Sequence, residues 1–298
     1  MNNQNIFTSK QIDDYFIQLQ SFILETQKKN VPFFIGRLSG VETNLCGIII
    51  NQLKVPDVII SQLLFNAGIK IKSWEDIFNY AKLYHNSVLK SNLLGVWDSS
   101  MYKQGELFYK YIDKFYPNIK RICAHAIEPY YFINHPEYKF DTIFENKKVL
   151  IITSHKETVN NQIGIHDKLF NKPIFHSTTT FYIYKPPQQN AGSHDNNSWT
   201  FHFDNMKKEI TEIKKEFDFD IALVSCGGFG MIISDYIYTD LKSSVIYVGG
   251  ALQLFFGIIG NRWVNSPDIK SLMNNYWTTV LDVDKPANIK LCENGCYW

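Results

Sequence analysis

Residues 217–263 read FDFDIALVSCGGFGMIISDYIYTDLKSSVIYVGGALQLFFGIIGNRW, and this stretch sets the fold class. An apolar run, Ile221 to Val224, breaks off at Ser225-Cys226-Gly227-Gly228, and a segment of helical character follows. A second apolar run, Val245 to Val248, breaks off at Gly249-Gly250. Strand, glycine turn, helix and strand in that order form the βαβ unit of a parallel sheet. Both glycine turns then fall at the carboxyl ends of strands, where open α/β sheets bind ligands.

Working outward, Lys147 to Thr153 (KKVLIIT) is the clearest further strand, and Ser154-His155-Lys156 follows it directly. Asn160 to Phe170 is expected to be helical, and Phe203 to Phe217 reads as a charged surface helix. Lys185 to Trp199 is polar and carries proline and glycine, the composition of a mobile lid. Toward the amino end, Ile12, Phe16, Leu19, Phe22 and Ile23 recur at helical spacing. Val31 to Ile35 is a short strand ending at Gly36-Arg37-Leu38-Ser39-Gly40, and a helix is expected over Val41 to Leu53. Ser61 to Tyr116 reads as helical and aromatic-rich, with Ser73 and Asp76 spaced as a helix start. Beyond Ser266 the pattern is irregular. The expected class is therefore α/β, a Rossmann-like parallel sheet with a helical amino-terminal part. A boundary near 145 divides a helical, aromatic part with the GRxxGxE loop (1–145) from a Rossmann-like nucleotide-binding part (146–298).

Composition narrows the setting. In 298 residues, 45% hydrophobic and 20% charged content is that of a globular chain. A net charge of +1 offers no global field for nucleic acid or an anionic membrane. No run approaches the roughly 18 apolar residues of a membrane span, and the amino terminus MNNQNIFTSKQIDDYF lacks the pattern of a signal peptide. Five scattered cysteines do not suggest a disulfide framework, so a reducing, cytoplasmic setting is expected.

The glycines at 227, 228 and 230 lack the third glycine of a dinucleotide fingerprint, and Gly249-Gly250 stands where a ribose-binding acid would be. No P-loop GK[ST] occurs. A glycine turn that opens a helix still offers backbone N–H groups to a phosphate, and packing alone is the competing account. His155 or Lys156 there would stabilise a diphosphate leaving group electrostatically, with an ordinary solvated loop as the competing account. Arg37 suits bidentate phosphate contact, and Glu42 could hold a hydroxyl or a divalent metal, although magnesium normally takes more than one carboxylate. Glu128, in His125-Ala126-Ile127-Glu128-Pro129-Tyr130-Tyr131, is the preferred general base, followed by Asp98. Both also suit ordinary capping. Tyr130, Tyr131, Phe255, Phe256 and Trp263 adjoin these loops and are expected near a pocket. Cys292-x-x-x-Cys296 has no second pair to complete a zinc site.

FIGRLSGVE resembles the GRxGDGE-type segment near the amino end of GT-D type glycosyltransferases, a Rossmann-like class that uses nucleotide sugars. KKVLIITSHKETVNNQ, the CGGFG…YVGGALQLFFGIIGNRW pair, EPYYF and the terminal GCYW are similar to the same group, across roughly residues 31–298. The resemblance implies transfer of a sugar from a nucleotide-diphosphate donor to a glycan or glycoconjugate acceptor. It assigns Gly36, Arg37, Glu42, His155, Lys156, Ser225, Cys226, Gly227, Gly228, Gly249, Gly250 and Gln253 to the donor. The family's metal pair is Asp-x-Glu. Here Glu42 matches the second acid and Gly40 replaces the first, which leaves one carboxylate for Mn2+ or Mg2+. A nucleotide- or glycan-binding protein without turnover and a Rossmann methyltransferase are the rival readings.

Overall fold

A computed structural model describes residues 7–97, 103 and 105–298. The amino-terminal periodicity becomes helix α1 (Ser9–Lys28), started by a capping box between Thr8 and Gln11. Strand β1 (Phe34–Arg37) follows, then α2 (Gly40–Ile50), α3 (Asp57–Gln62), one π-helical turn (Leu63–Ala67) and α4 (Trp74–Lys90). The Ser73 hydroxyl accepts from the Asp76 N–H at 3.1 Å and starts α4. Strand β2 (Leu93–Val96), α5 (Glu106–Phe115) and β3 (Arg121–Cys123) complete the first part.

The second part contains β4 (Lys148–Thr153), α6 (Lys156–Ile163), β5 (Thr180–Tyr184), α7 (Trp199–Phe217), β6 (Ile221–Ser225), α8 (Phe229–Thr239) and β7 (Ser244–Tyr247). An eight-residue 3-10 helix, Gly249–Phe256, then leads to a small ladder of β8 (Ile258–Ile259) and β9 (Thr278–Thr279), with the short helix α9 (Pro267–Lys270) between them.

The central sheet has seven strands in the order β3-β2-β1-β7-β6-β4-β5, and every pairing is parallel. This is a Rossmann-like α/β architecture. The unbroken apolar runs follow from burial on both faces. In β6, Ile221 and Leu223 enter one core while Ala222 and Val224 enter the other. Connections that move toward the β3 edge carry α2 to α5, α7 and α8 across one face. Those that move toward the β5 edge carry α6 and the 3-10 turns after β3 across the other. A single crossover hand requires this segregation. Chains leaving β1, β7, β6 and β4 therefore depart to alternate faces, which opens a crevice above their carboxyl ends.

Four expectations change. The helical reading of 61–116 misses β2, because a run as short as Leu93–Val96 carries no usable periodicity, and the three-residue β3 beyond it offers no more. The helix expected over 160–170 instead occupies Lys156–Ile163 and stops at Gly164. The segment 185–199 is tied down on several sides: Ala191 N–H donates to Phe65 O at 2.9 Å, and Asn288 N–H donates to Ala191 O at 3.0 Å. The expected boundary at 145 falls in the crossover from β3 to β4, and β1 pairs with β7, so the two parts share one sheet.

Candidate functional site

A cleft of about 870 Å³ lies over the carboxyl ends of the strands, within the size range of pockets for small organic ligands. It gathers the loops the sequence singles out. Arg37, Glu42, Glu128, His155, Ser225, Cys226, Gly227, Gly249, Gly250 and Gln253 all line it. Gly36, Lys156 and Gly228 do not. Gly36 sits within β1 because any side chain there would strike Ser91 and Met231. At Gly228 a side chain would strike Ile69 and the Tyr80 hydroxyl, and its N–H is committed to Ala67 O at 2.8 Å. Packing therefore accounts for both glycines. Asp98 lies outside the described residues.

Arg37 ends β1 and projects into the cleft. Its guanidinium carbon lies 5.0 Å from the centre of the Trp97 ring and 5.8 Å from that of Tyr247, a cation–π setting that orients the fork. Nη1 stands 3.8 Å from a Glu128 carboxylate oxygen, while the buried Nε has no protein partner. Gly249 has φ 68°, and the Arg37 guanidinium occupies the space a Cβ would take. Only glycine accepts both conditions at once. Gly249 and Gly250 also open the 3-10 helix, whose first N–H groups have no acceptor within it. Glu128 is buried, and its second oxygen lies 3.3 Å from His125 Nδ1.

Glu42, in the first turn of α2, is buried. Burial pushes its carboxyl pKa up, and the nearby Glu293 charge adds to this, against hydrogen bonds from the backbone and Ser39 and the charge of Arg37. Glu293 is itself paired with Arg262. Glu42 is the one carboxylate in the loop that the resemblance assigns to a metal, and a divalent ion usually takes more than one. Among the described residues, no three His, Cys, Asp or Glu side chains gather as metal ligands. The donor set therefore does not fit the manganese or magnesium site that the resemblance implies.

His155 follows β4. Burial pulls its pKa down to about 4, with Asp284 opposing and Lys185 assisting. The imidazole is neutral at pH 7, so it brings the cleft a hydrogen bond and no charge. Its Nε2 has no protein partner.

Sequence reasoning misses the tail. Arg262, Glu293, Tyr297 and Trp298 all line the cleft, held by Arg262 N–H donating to Cys296 O at 2.8 Å and Gln253 Nε2 donating to Tyr297 O at 3.2 Å. The GNRW end of the second glycine motif and the terminal GCYW are the signals the sequence offers for these residues. Gln188, Gln189 and Asn190, in the expected lid, form another wall. Of the aromatics expected near a pocket, Tyr131 and Trp263 line it, whereas Tyr130, Phe255 and Phe256 belong to the core.

No protein-family model, no curated protein and no solved structure matches the chain. Among the described residues, no helix is long and apolar enough to cross a membrane.

Proposed function

We propose that the protein binds a nucleotide-diphosphate sugar in this cleft and transfers the sugar to a glycan or glycoconjugate acceptor. The carrying observation is Arg37: a guanidinium held between Trp97 and Tyr247, with an unpartnered Nε, beside the Gly249-Gly250 turn. An oriented fork beside helix-opening amides suits a diphosphate. In transfer, the acceptor hydroxyl oxygen forms the new bond to the sugar's anomeric carbon. The bond from that carbon to the diphosphate breaks, and its electron pair leaves with the diphosphate. Arg37 offsets the charge that develops there, and Glu128, ion-paired to Arg37, receives the hydroxyl proton. With Arg37 supplying the positive charge, the scheme involves no metal ion.

Calorimetry with UDP, GDP and their sugars, paired with a transfer assay, tests this. Arg37→Ala should weaken nucleoside diphosphate binding at least tenfold, about 1.4 kcal/mol. Glu128→Gln should retain binding and lower turnover by about 10²–10⁴-fold. If no nucleoside diphosphate binds the wild type, the proposal fails. Binding without turnover for any donor would leave a nucleotide-binding protein instead.

A further inference from the structure

The β4 end of the cleft differs in character from the Arg37 end. A helix start there would ordinarily favour an anion, but α6 already has one. Asp284 is fully buried and accepts from the Thr158 N–H at 2.7 Å and the Thr158 hydroxyl at 2.8 Å. Lys185 pairs with its other oxygen at 3.0 Å. The positive end of the helix is thus neutralised from within the fold.

Beside this plug, three residues that line the cleft each keep a buried polar atom without a protein partner: His155 Nε2, Gln253 Oε1 and Trp298 Nε1. The His155 and Trp298 rings meet edge to face, with centroids 6.2 Å apart. Gln253 Nε2 donates to Ile258 O at 3.0 Å and to Tyr297 O at 3.2 Å. Those two bonds fix the amide, so its oxygen is the atom left without a partner. Trp298 Nε1 can only donate, and the Gln253 oxygen can only accept. A polar group left unsatisfied in a buried place is costly, and a complementary ligand removes that cost. An anion can accept from Trp298 Nε1 but would meet the Gln253 carbonyl oxygen, and it would find no free positive charge, since Lys185 is already paired with Asp284.

We propose that His155, Gln253 and Trp298 form a subsite for an uncharged ring that carries adjacent hydrogen-bond donors and acceptors, a sugar or a nucleobase. The subsite deepens the nucleotide-sugar proposal and rests on it for the identity of the whole ligand. It gives the cleft a polarity, with phosphate at Arg37 and the neutral ring at the β4 end. Trp298 becomes a specificity-determining residue.

Indole N–H signals in ¹⁵N spectra of the full chain test this, with Trp298→Phe identifying the Trp298 signal. The probes are inorganic diphosphate, uridine, guanosine, methyl glucoside, methyl galactoside and the UDP- and GDP-sugars. The Trp298 signal should move with a nucleoside or a glycoside, whichever ring the subsite reads, and with the matching nucleotide sugar. It should stay still with inorganic diphosphate. Movement with diphosphate alone, or stillness with every ring and every nucleotide sugar, overturns the subsite. A response to a free ring without any nucleotide-sugar binding keeps the subsite and sinks the nucleotide-sugar proposal. His155→Phe covers the case in which Trp298→Phe fails to fold, because it keeps a ring and removes an unsatisfied buried atom. It should weaken the ring-bearing ligand at least tenfold and leave diphosphate affinity within twofold; equal losses for both overturn the subsite.

Discussion

Burial keeps the His155 imidazole unprotonated, and acid therefore reports on its surroundings. Its folded pKa of about 4 lies below the ordinary 6.5 of an unfolded chain. As pH falls through that window, the unfolded chain gains a proton that the native state refuses, and stability drops by up to about 3 kcal/mol. Glu42 acts in the opposite sense. Its raised pKa lets the native state take a proton first, which offsets part of the loss. Urea unfolding of wild type and His155→Phe at pH 7 and pH 4.5 separates the two: the variant should lose distinctly less stability in acid. An equal loss in both proteins would mean that the native imidazole protonates freely. Single residues differ in how plainly the sequence exposes them. Arg37 is legible because it stands in a glycine-bracketed loop after an apolar run. Its neighbour Gly36 carries the same local signal, yet contact with Ser91 and Met231 explains it, and those contacts come from distant parts of the chain.

Helix α6 is the element on which the β4 end of the cleft depends, and its cap comes from 126 residues away. His155, at the cap position, provides no side-chain hydrogen bond. Asp284 takes that role from the tail, and Lys185 at the end of β5 joins it. Asp284→Ala should cost about 2–3 kcal/mol, since it leaves the Thr158 donors unsatisfied and the partly exposed Lys185 without its acid. Asp284→Asn, which keeps an acceptor, should cost less. Denaturant midpoints at pH 7 check both, and equal midpoints for wild type and Asp284→Ala would show that the cap does not hold the helix. This element also marks how far sequence reasoning reaches. The loops after β1, β4, β6 and β7 were readable because an apolar run followed by glycine or polar residues is a local pattern. The cap from Asp284, the edge strand β3 and the wall made by Tyr297 and Trp298 are long-range arrangements without local periodicity. The tail therefore looked irregular in sequence, although Trp298 and Cys292 are core residues.

Across the whole molecule, the seam between β1 and β7 governs how the chain unfolds. Strands β1 to β3 come from residues 34–123 and strands β4 to β7 from 148–247, so a sequence boundary at 145 suggests two units. Yet Phe34 and Ile35 register with Val245 and Ile246, and the Val245 N–H donates to Phe33 O at 2.8 Å. Both cores draw on both parts: Ile35 packs in one core with Leu223, and Phe34 packs in the other with Val224. Separating the parts would leave two parallel-sheet edges unpaired and strip apolar surface from both faces at once. It would also pull Arg37 and Trp97 away from Tyr247 and Gly249, on which the cleft depends. Unfolding should accordingly be one cooperative step, with tryptophan fluorescence and far-ultraviolet circular dichroism giving the same urea midpoint. A nucleoside diphosphate at about a hundred times its Kd should stabilise that whole step by about 2.7 kcal/mol. It should not shift one part of it. Two separated transitions, with the ligand moving only the later one, would show that residues 146–298 stand alone and that the β1–β7 pairing adds little to their stability.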